Sequence, residues 1–154
     1  HMPKSYVSKQ KYKELGNELD YLKTTRRKEI AEKLEYAKSL GDLSENAEYH
    51  EARDDQAGTE KRILELEDIL KHAQMVEKHH SEVVEIGSAI VVKKTGEKDE
   101  KKYQIVGSEE ADTGAGKISY LSPLGAALMG KKKGDKTSFQ SPVGKVEYSI
   151  VEIE

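Results

Sequence analysis

Apolar positions along the chain follow two different rhythms. From about Ser8 to Leu40 there is no proline, the only glycine is Gly16, and apolar residues recur at Tyr12, Leu15, Leu19, Leu22, Ile30, Leu34 and Ala37. Steps of three and four residues predict a long amphipathic helix. A second segment, from about Glu45 to residue 78, repeats the pattern at Tyr49, Ala52, Ile63, Leu66, Leu70, Ala73 and Val76. Each stripe is close to a heptad seam, too narrow for either helix to be stable alone, and the short connection through Gly41 makes the two antiparallel neighbours. The predicted product is a coiled-coil hairpin whose arms, at 1.5 Å per residue, run about 45 to 50 Å. Ile63, Leu66 and Leu70 are matched to Leu15, Leu19 and Leu22, whereas Gln56 and Thr59 take seam positions nearer the loop, so the base is expected to be firmer than the tip.

Past His79-His80-Ser81 the rhythm changes to β-branched runs at Ile86–Val92, Tyr103–Val106, Ile118–Leu121 and Val146–Ile153. Thr95–Lys102 is read as a hairpin loop between two of them. Ser122-Pro123 opens a short helix, with Ser as N-cap and Pro in the first helical position, and Gly130 is placed to end it. The expected architecture is α+β: a coiled-coil hairpin over residues 1–78 with its tip at 41–46, a linker at 79–82, and a mostly antiparallel β domain with one short helix over 83–154.

Composition sharpens this outline. Of 154 residues, 36% are charged and 35% hydrophobic, with one Phe and no Trp, so a large compact core is not expected. The absence of cysteine excludes disulfides and thiolate chemistry. No apolar run is long enough to span a bilayer and no signal segment opens the chain, which predicts a cytoplasmic protein, and His1-Met2 reads as a tag remnant.

The net charge of −3 conceals a gradient. Asp42, Glu45, Glu48, Glu51, Asp54, Asp55 and Glu60 crowd the loop end against Arg53 alone, while the first helix carries Lys23, Arg26, Arg27, Lys28, Lys33 and Lys38 among others. A rod with carboxylates at its end suits a positively charged channel or a hard divalent cation, and does not suit binding of DNA by the tip. The same residues admit a plainer account. Asp42 and Glu45 have the spacing of a capping box, and Ser44 is an alternative N-cap that would leave Asp42 free.

The run Gly41-Asp42-Leu43-Ser44-Glu45-Asn46-Ala47-Glu48-Tyr49-His50, continuing through Ala52-Arg53 to Glu60-Lys61-Arg62-Ile63, resembles the tip and descending helix of the Gre family of bacterial transcript-cleavage factors. The resemblance extends through Ile105-Val106-Gly107, Glu110-Ala111-Asp112, Ile118-Ser119, Ser122-Pro123, Leu128, Gly130, Gly134-Asp135, Pro142, Gly144, Glu147-Tyr148 and Ile150-Val151. It implies a C-terminal domain similar to FKBP and a protein that inserts its coiled coil into the secondary channel of RNA polymerase. There it would stimulate cleavage of the extruded RNA 3′ end, with no membrane or small-molecule substrate involved.

By that resemblance Asp42 and Glu45 are the acidic pair that helps hold a second Mg²⁺ and orient water, with the polymerase completing the site. No cofactor is expected to stay bound to the protein alone, and the protein itself is not an enzyme. Lys38 and Arg53 correspond to basic positions facing RNA; as plain helix surface they would pair with Glu35 or Glu51. Leu43, Ser44, Asn46, Tyr49 and His50 are expected to support the loop, and Ser44 stands where related tips often carry Lys or Arg. Two other readings are a paralogue that occludes the channel without cleavage and a coiled-coil adaptor unrelated to transcription. Prolyl isomerase activity is disfavoured, because the C-terminal domain offers only Tyr103, Tyr120, Phe139 and Tyr148 as aromatics; a docking role, with contacts from Leu124–Met129, is the better reading. His79-His80, without a carboxylate at ligand spacing, is read as linker.

Overall fold

A computed structural model describes residues 4–77 and 80–154. The described residues form two compact units, one made by Tyr12–His72 and the other by the chain before Tyr12 together with the chain after His72.

The helical unit is the expected hairpin. One arm comprises α1 (Lys9–Tyr21), a π-helical turn (Leu22–Arg26) and α2 (Arg27–Ser39); the other is α3 (Ala47–Lys71). Leu15, Ile30, Ala37, Ala52, Ile63, Leu66 and Ile69 are buried, and Thr59 is buried where Gln56 is exposed. Each fully buried aliphatic side chain contributes about 1.5–3 kcal/mol.

The π turn has a cause in the sequence. Leu15, Leu19 and Leu22 keep seam spacing, as do Ile30, Leu34 and Ala37, but the step from Leu22 to Ile30 is one residue longer than a heptad. The Arg27 N–H bonds back to the Leu22 carbonyl, five residues away, so the widened turn absorbs the extra residue and keeps both halves of the stripe in phase. Thr24 assists by donating its hydroxyl to the Asp20 carbonyl at 2.7 Å. Ion pairs tie the two arms together in both directions: Arg27 of the first arm grips Glu60 of the second with two bonds of 2.7 and 3.0 Å, and Arg62 of the second grips Glu18 of the first at 2.9 and 3.1 Å.

The other unit holds a five-stranded sheet in the order β5-β4-β3-β7-β6, formed by β3 (Ala89–Lys94), β4 (Glu100–Val106), β5 (Lys117–Ser119), β6 (Lys136–Ser141) and β7 (Gly144–Ile153). All neighbours are antiparallel except β4 and β5. Ile90, Val92, Ile105, Ile150 and Leu128 form the centre of its core. Leu128 comes from the single short helix α4 (Pro123–Leu128), which begins as its sequence predicts: the Ser122 hydroxyl accepts from the Gly125 N–H at 3.1 Å, Pro123 follows, and Gly130 takes a positive φ past the C-terminus.

Several elements depart from the sequence expectation; of Thr95–Lys102, read as a hairpin loop, the last three residues open β4 and pair with β3. The second arm stops at Lys71, and Ala73 and Val76, read as its last stripe positions, leave the helix. Ala73–Met75 form β2, which pairs in parallel with β1 (Ser5–Val7), and the Val76 N–H bonds to the Val7 carbonyl at 2.8 Å. The three-residue step from Ala73 to Val76 is a helix spacing, and it is overridden here by the backbone pairing that β1 offers. β6 is another, because of its inward positions Thr137, Phe139 and Ser141 only Phe139 is apolar, so no apolar alternation marks it.

β1 is locked to the sheet unit. Tyr6 meets Tyr120 edge-on at 5.3 Å, and the Ser8 N–H donates to a carboxylate oxygen of Glu110 at 2.5 Å. Gly107 makes this approach feasible, since a Cβ there would lie 1.8 Å from the Tyr6 carbonyl oxygen. Among the described residues no helix is long and apolar enough to cross a membrane.

Candidate functional site: the hairpin tip

α2 ends where Leu40 and Gly41 donate back to the carbonyls of Ala37 and Lys38, and Gly41 turns the chain at φ +117°, a region that side chains oppose. Asp42 follows, exposed. One of its oxygens, Oδ1, accepts from both the backbone N–H of Ser44 at 3.0 Å and the Ser44 hydroxyl at 2.9 Å. The N–H first and the hydroxyl second hold the Asp42 carboxyl below its ordinary value. Glu45 is exposed, and among the described residues it makes no hydrogen bond or ion pair.

α3 is capped by neither of the residues the capping patterns pointed to. Asn46 is the N-cap, with extended backbone and its side chain accepting from the Tyr49 N–H at 3.0 Å, and its own carbonyl receives the His50 N–H. The Asp42–Glu45 capping box is therefore absent. Ser44 does not cap either, since its N–H and hydroxyl are both turned onto Asp42. The Asn46 amide also donates to the Ala37 carbonyl at 2.6 Å. His50 Nε2 lies 3.3 Å from the Ser44 carbonyl, and its ring meets that of half-buried Tyr49 edge-on at 5.7 Å.

Lys38 and Arg53 are exposed, and neither forms the pair with Glu35 or Glu51 that a plain surface role would suggest. Behind the tip the charges are spent on the fold: Asp55 pairs with Arg26 at 3.5 Å and with Lys33 at 3.7 Å, and Glu60 with Arg27. Glu48, Glu51 and Asp54 remain unpaired among the described residues, and an open groove of about 270 Å³ runs past Lys33, Tyr36, Glu48 and Glu51. Periodicity gave no warning of Tyr36, Leu40 and Leu43, which stay exposed beside the loop. Among the described residues no three His, Cys, Asp or Glu side chains converge to hold a metal. His79 lies outside the described residues, and His80 comes only within 3.9 Å of Glu82.

Residues 5–75 match the family described as transcription elongation factor, N-terminal, and residues 78–154 match transcription elongation factor, GreA/GreB, C-term. The chain belongs to the GreA/GreB family of transcription elongation factors. The GreA protein of Clostridium acetobutylicum is 47% identical over 154 residues, covering 98% of both chains, and that of Clostridium kluyveri is 50% identical over 143 residues, covering 92% of this chain and 90% of its own. Among solved structures, GreA factor homolog 1 of Thermus thermophilus is 30% identical over 99% of both chains, with a TM-score of 0.45.

In this GreA/GreB family member the sheet unit carries a separate apolar cleft of about 320 Å³, bordered by Tyr103, Ile118, Pro123, Leu124 and Phe139. Of the four aromatics of the C-terminal domain, only Tyr103 and Phe139 line it. Tyr120 is turned to Tyr6, and Tyr148 is buried behind Phe139 with the rings stacked at 6.4 Å. Within Leu124–Met129, Leu128 belongs to the core, while Leu124 and Met129 are half-buried.

Proposed function

We propose that this protein stimulates RNA polymerase to cleave the 3′ end of backtracked RNA, with Asp42 and Glu45 as its contribution to the polymerase active centre. The observation that carries the reading is that Asn46 caps α3, so neither acid is needed to hold the helix, and both sit exposed at the turn of the hairpin. Two carboxylates can supply only part of the six oxygens that Mg²⁺ requires, which suits a site completed by a partner. When bound there, the metal would supply a polarised water and charge stabilisation for phosphoryl chemistry.

Within this chain, Asp42 offers its Oδ2 as an oxygen donor, because its Oδ1 is engaged by Ser44. Glu45, with no internal partner, is free to orient water. Lys38 and Arg53 attract the phosphates of extruded RNA. Leu43, Ser44, Asn46, Tyr49 and His50 shape the loop, and the sheet unit docks on the polymerase. The protein has no nuclease activity alone, holds no cofactor stably, enters the polymerase secondary channel, and works in the cytoplasm.

The test is cleavage of stalled, backtracked elongation complexes with Mg²⁺, comparing wild type, Asp42→Asn and Glu45→Gln. Wild type is expected to shorten the RNA from its 3′ end, and both variants to bind polymerase yet fail to cleave. Slowed synthesis with intact transcripts in the presence of wild type would instead assign the protein to the channel-occluding class.

A further inference from the structure

The side chain of Asn46 touches both arms of the hairpin. Its Oδ1 accepts from the Tyr49 N–H at 3.0 Å in the first turn of α3, and its Nδ2 donates to the Ala37 carbonyl at 2.6 Å in the last turn of α2. These partners fix the orientation of the amide, since an N–H can only donate and a carbonyl can only accept. The Ala37 carbonyl also accepts from the Leu40 N–H at 3.1 Å, so both of its lone pairs are engaged. Asn46 is half-buried, whereas every residue from Lys38 to Glu45 is exposed. The loop that carries both acids is thus closed into a ring by one side chain, with no packed core of its own.

We propose that Asn46 is the positioning residue of the tip: by bonding both arms at once, it sets the separation and direction of the Asp42 and Glu45 carboxylates. This rests on the role given to those acids above. The chemistry calls for an amide. Aspartate caps a helix as well but has no donor, and it would turn a negative oxygen toward the Ala37 carbonyl at the negative end of α2. A serine hydroxyl carries donor and acceptor on a single atom and cannot span the two arms.

The test places Asn46→Asp, beside Asp42→Asn, in the cleavage assay at saturating protein with Mg²⁺ titrated. Competition binding to polymerase and amide hydrogen exchange of the free protein accompany it. Asn46→Asp is expected to keep the Tyr49 amide protected and polymerase affinity unchanged. It should lower the maximal cleavage rate by roughly 10- to 100-fold, the penalty of misplaced groups, and raise the Mg²⁺ requirement.

Wild-type cleavage by Asn46→Asp beside an inactive Asp42→Asn would overturn the positioning role and leave the function intact. Loss of polymerase affinity in step with the loss of cleavage would reduce Asn46 to a structural cap. Normal cleavage by Asp42→Asn would remove the functional reading, and the role of Asn46 with it. If Asn46→Asp frays α3, Asn46→Ser retains a capping oxygen without the bridge and carries the same comparison.

Discussion

Ser44 gives both of its donors to one oxygen of Asp42: the backbone N–H at 3.0 Å and the hydroxyl at 2.9 Å. Two donors on a single carboxylate oxygen favour the ionised form, so Asp42 should titrate below the ordinary aspartate value of about 3.9. Because the folded value is the lower one, the turn's contribution is fully present above the ordinary value and is lost as pH falls through the folded one. Side-chain carboxyl NMR checks this. Ser44→Ala removes the hydroxyl but not the N–H, so it should return the Asp42 titration only part of the way; no change would mean that the hydroxyl bond is not formed in solution.

The π turn leads to a second expectation. Deleting Thr25 restores heptad spacing between Leu22 and Ile30, so the arm should run as unbroken α-helix, with slower amide exchange across residues 22–27 and an equal or higher melting temperature. Deleting Glu32 instead rotates Leu34 and Ala37 out of the seam and should cost at least about 2 kcal/mol. Equal thermal melting of the two deletions would refute the phase-keeping role.

Gly107→Ala should destabilise the sheet unit by about 1–3 kcal/mol, because its methyl group would collide with the Tyr6 carbonyl and push β1 outward. Urea unfolding measures the loss, and the Tyr6–Tyr120 contact should vanish from proton NMR spectra. Gly114→Ala is the control, since a Cβ there meets nothing nearer than 3.5 Å.

Long, periodic stretches were legible in the sequence. Both arms, the change to β structure, and the Ser122-Pro123 start of α4 follow from spacing and capping chemistry that act within a few residues. β1 and β2 were not legible, since three-residue strands exist only because each has the other, and β6 faces inward with two small polar residues, Thr137 and Ser141, around the single apolar Phe139. The tip divides the same way. Its acids and their placement at the turn could be read directly, but which residue caps α3 depends on where the loop aims its donors. Asn46 is itself a strong capping type immediately before Ala47, and it outcompeted Asp42 and Ser44 because they are occupied with each other.

The pairing of β1 with β2, and of Ser8 with Glu110, has a bearing on how the protein is made. Ser8 leaves the ribosome 102 residues before its carboxylate partner. At 5–20 residues per second the opening strand waits roughly 5 to 20 seconds for a place to dock, while the helices that follow it have time to zip together. The helical unit is therefore an insertion within the other, and a fragment starting at Ala73 would lack a strand of its own fold. Joining Lys11 to Ala73 through a short linker is the cut that should leave a self-sufficient sheet unit.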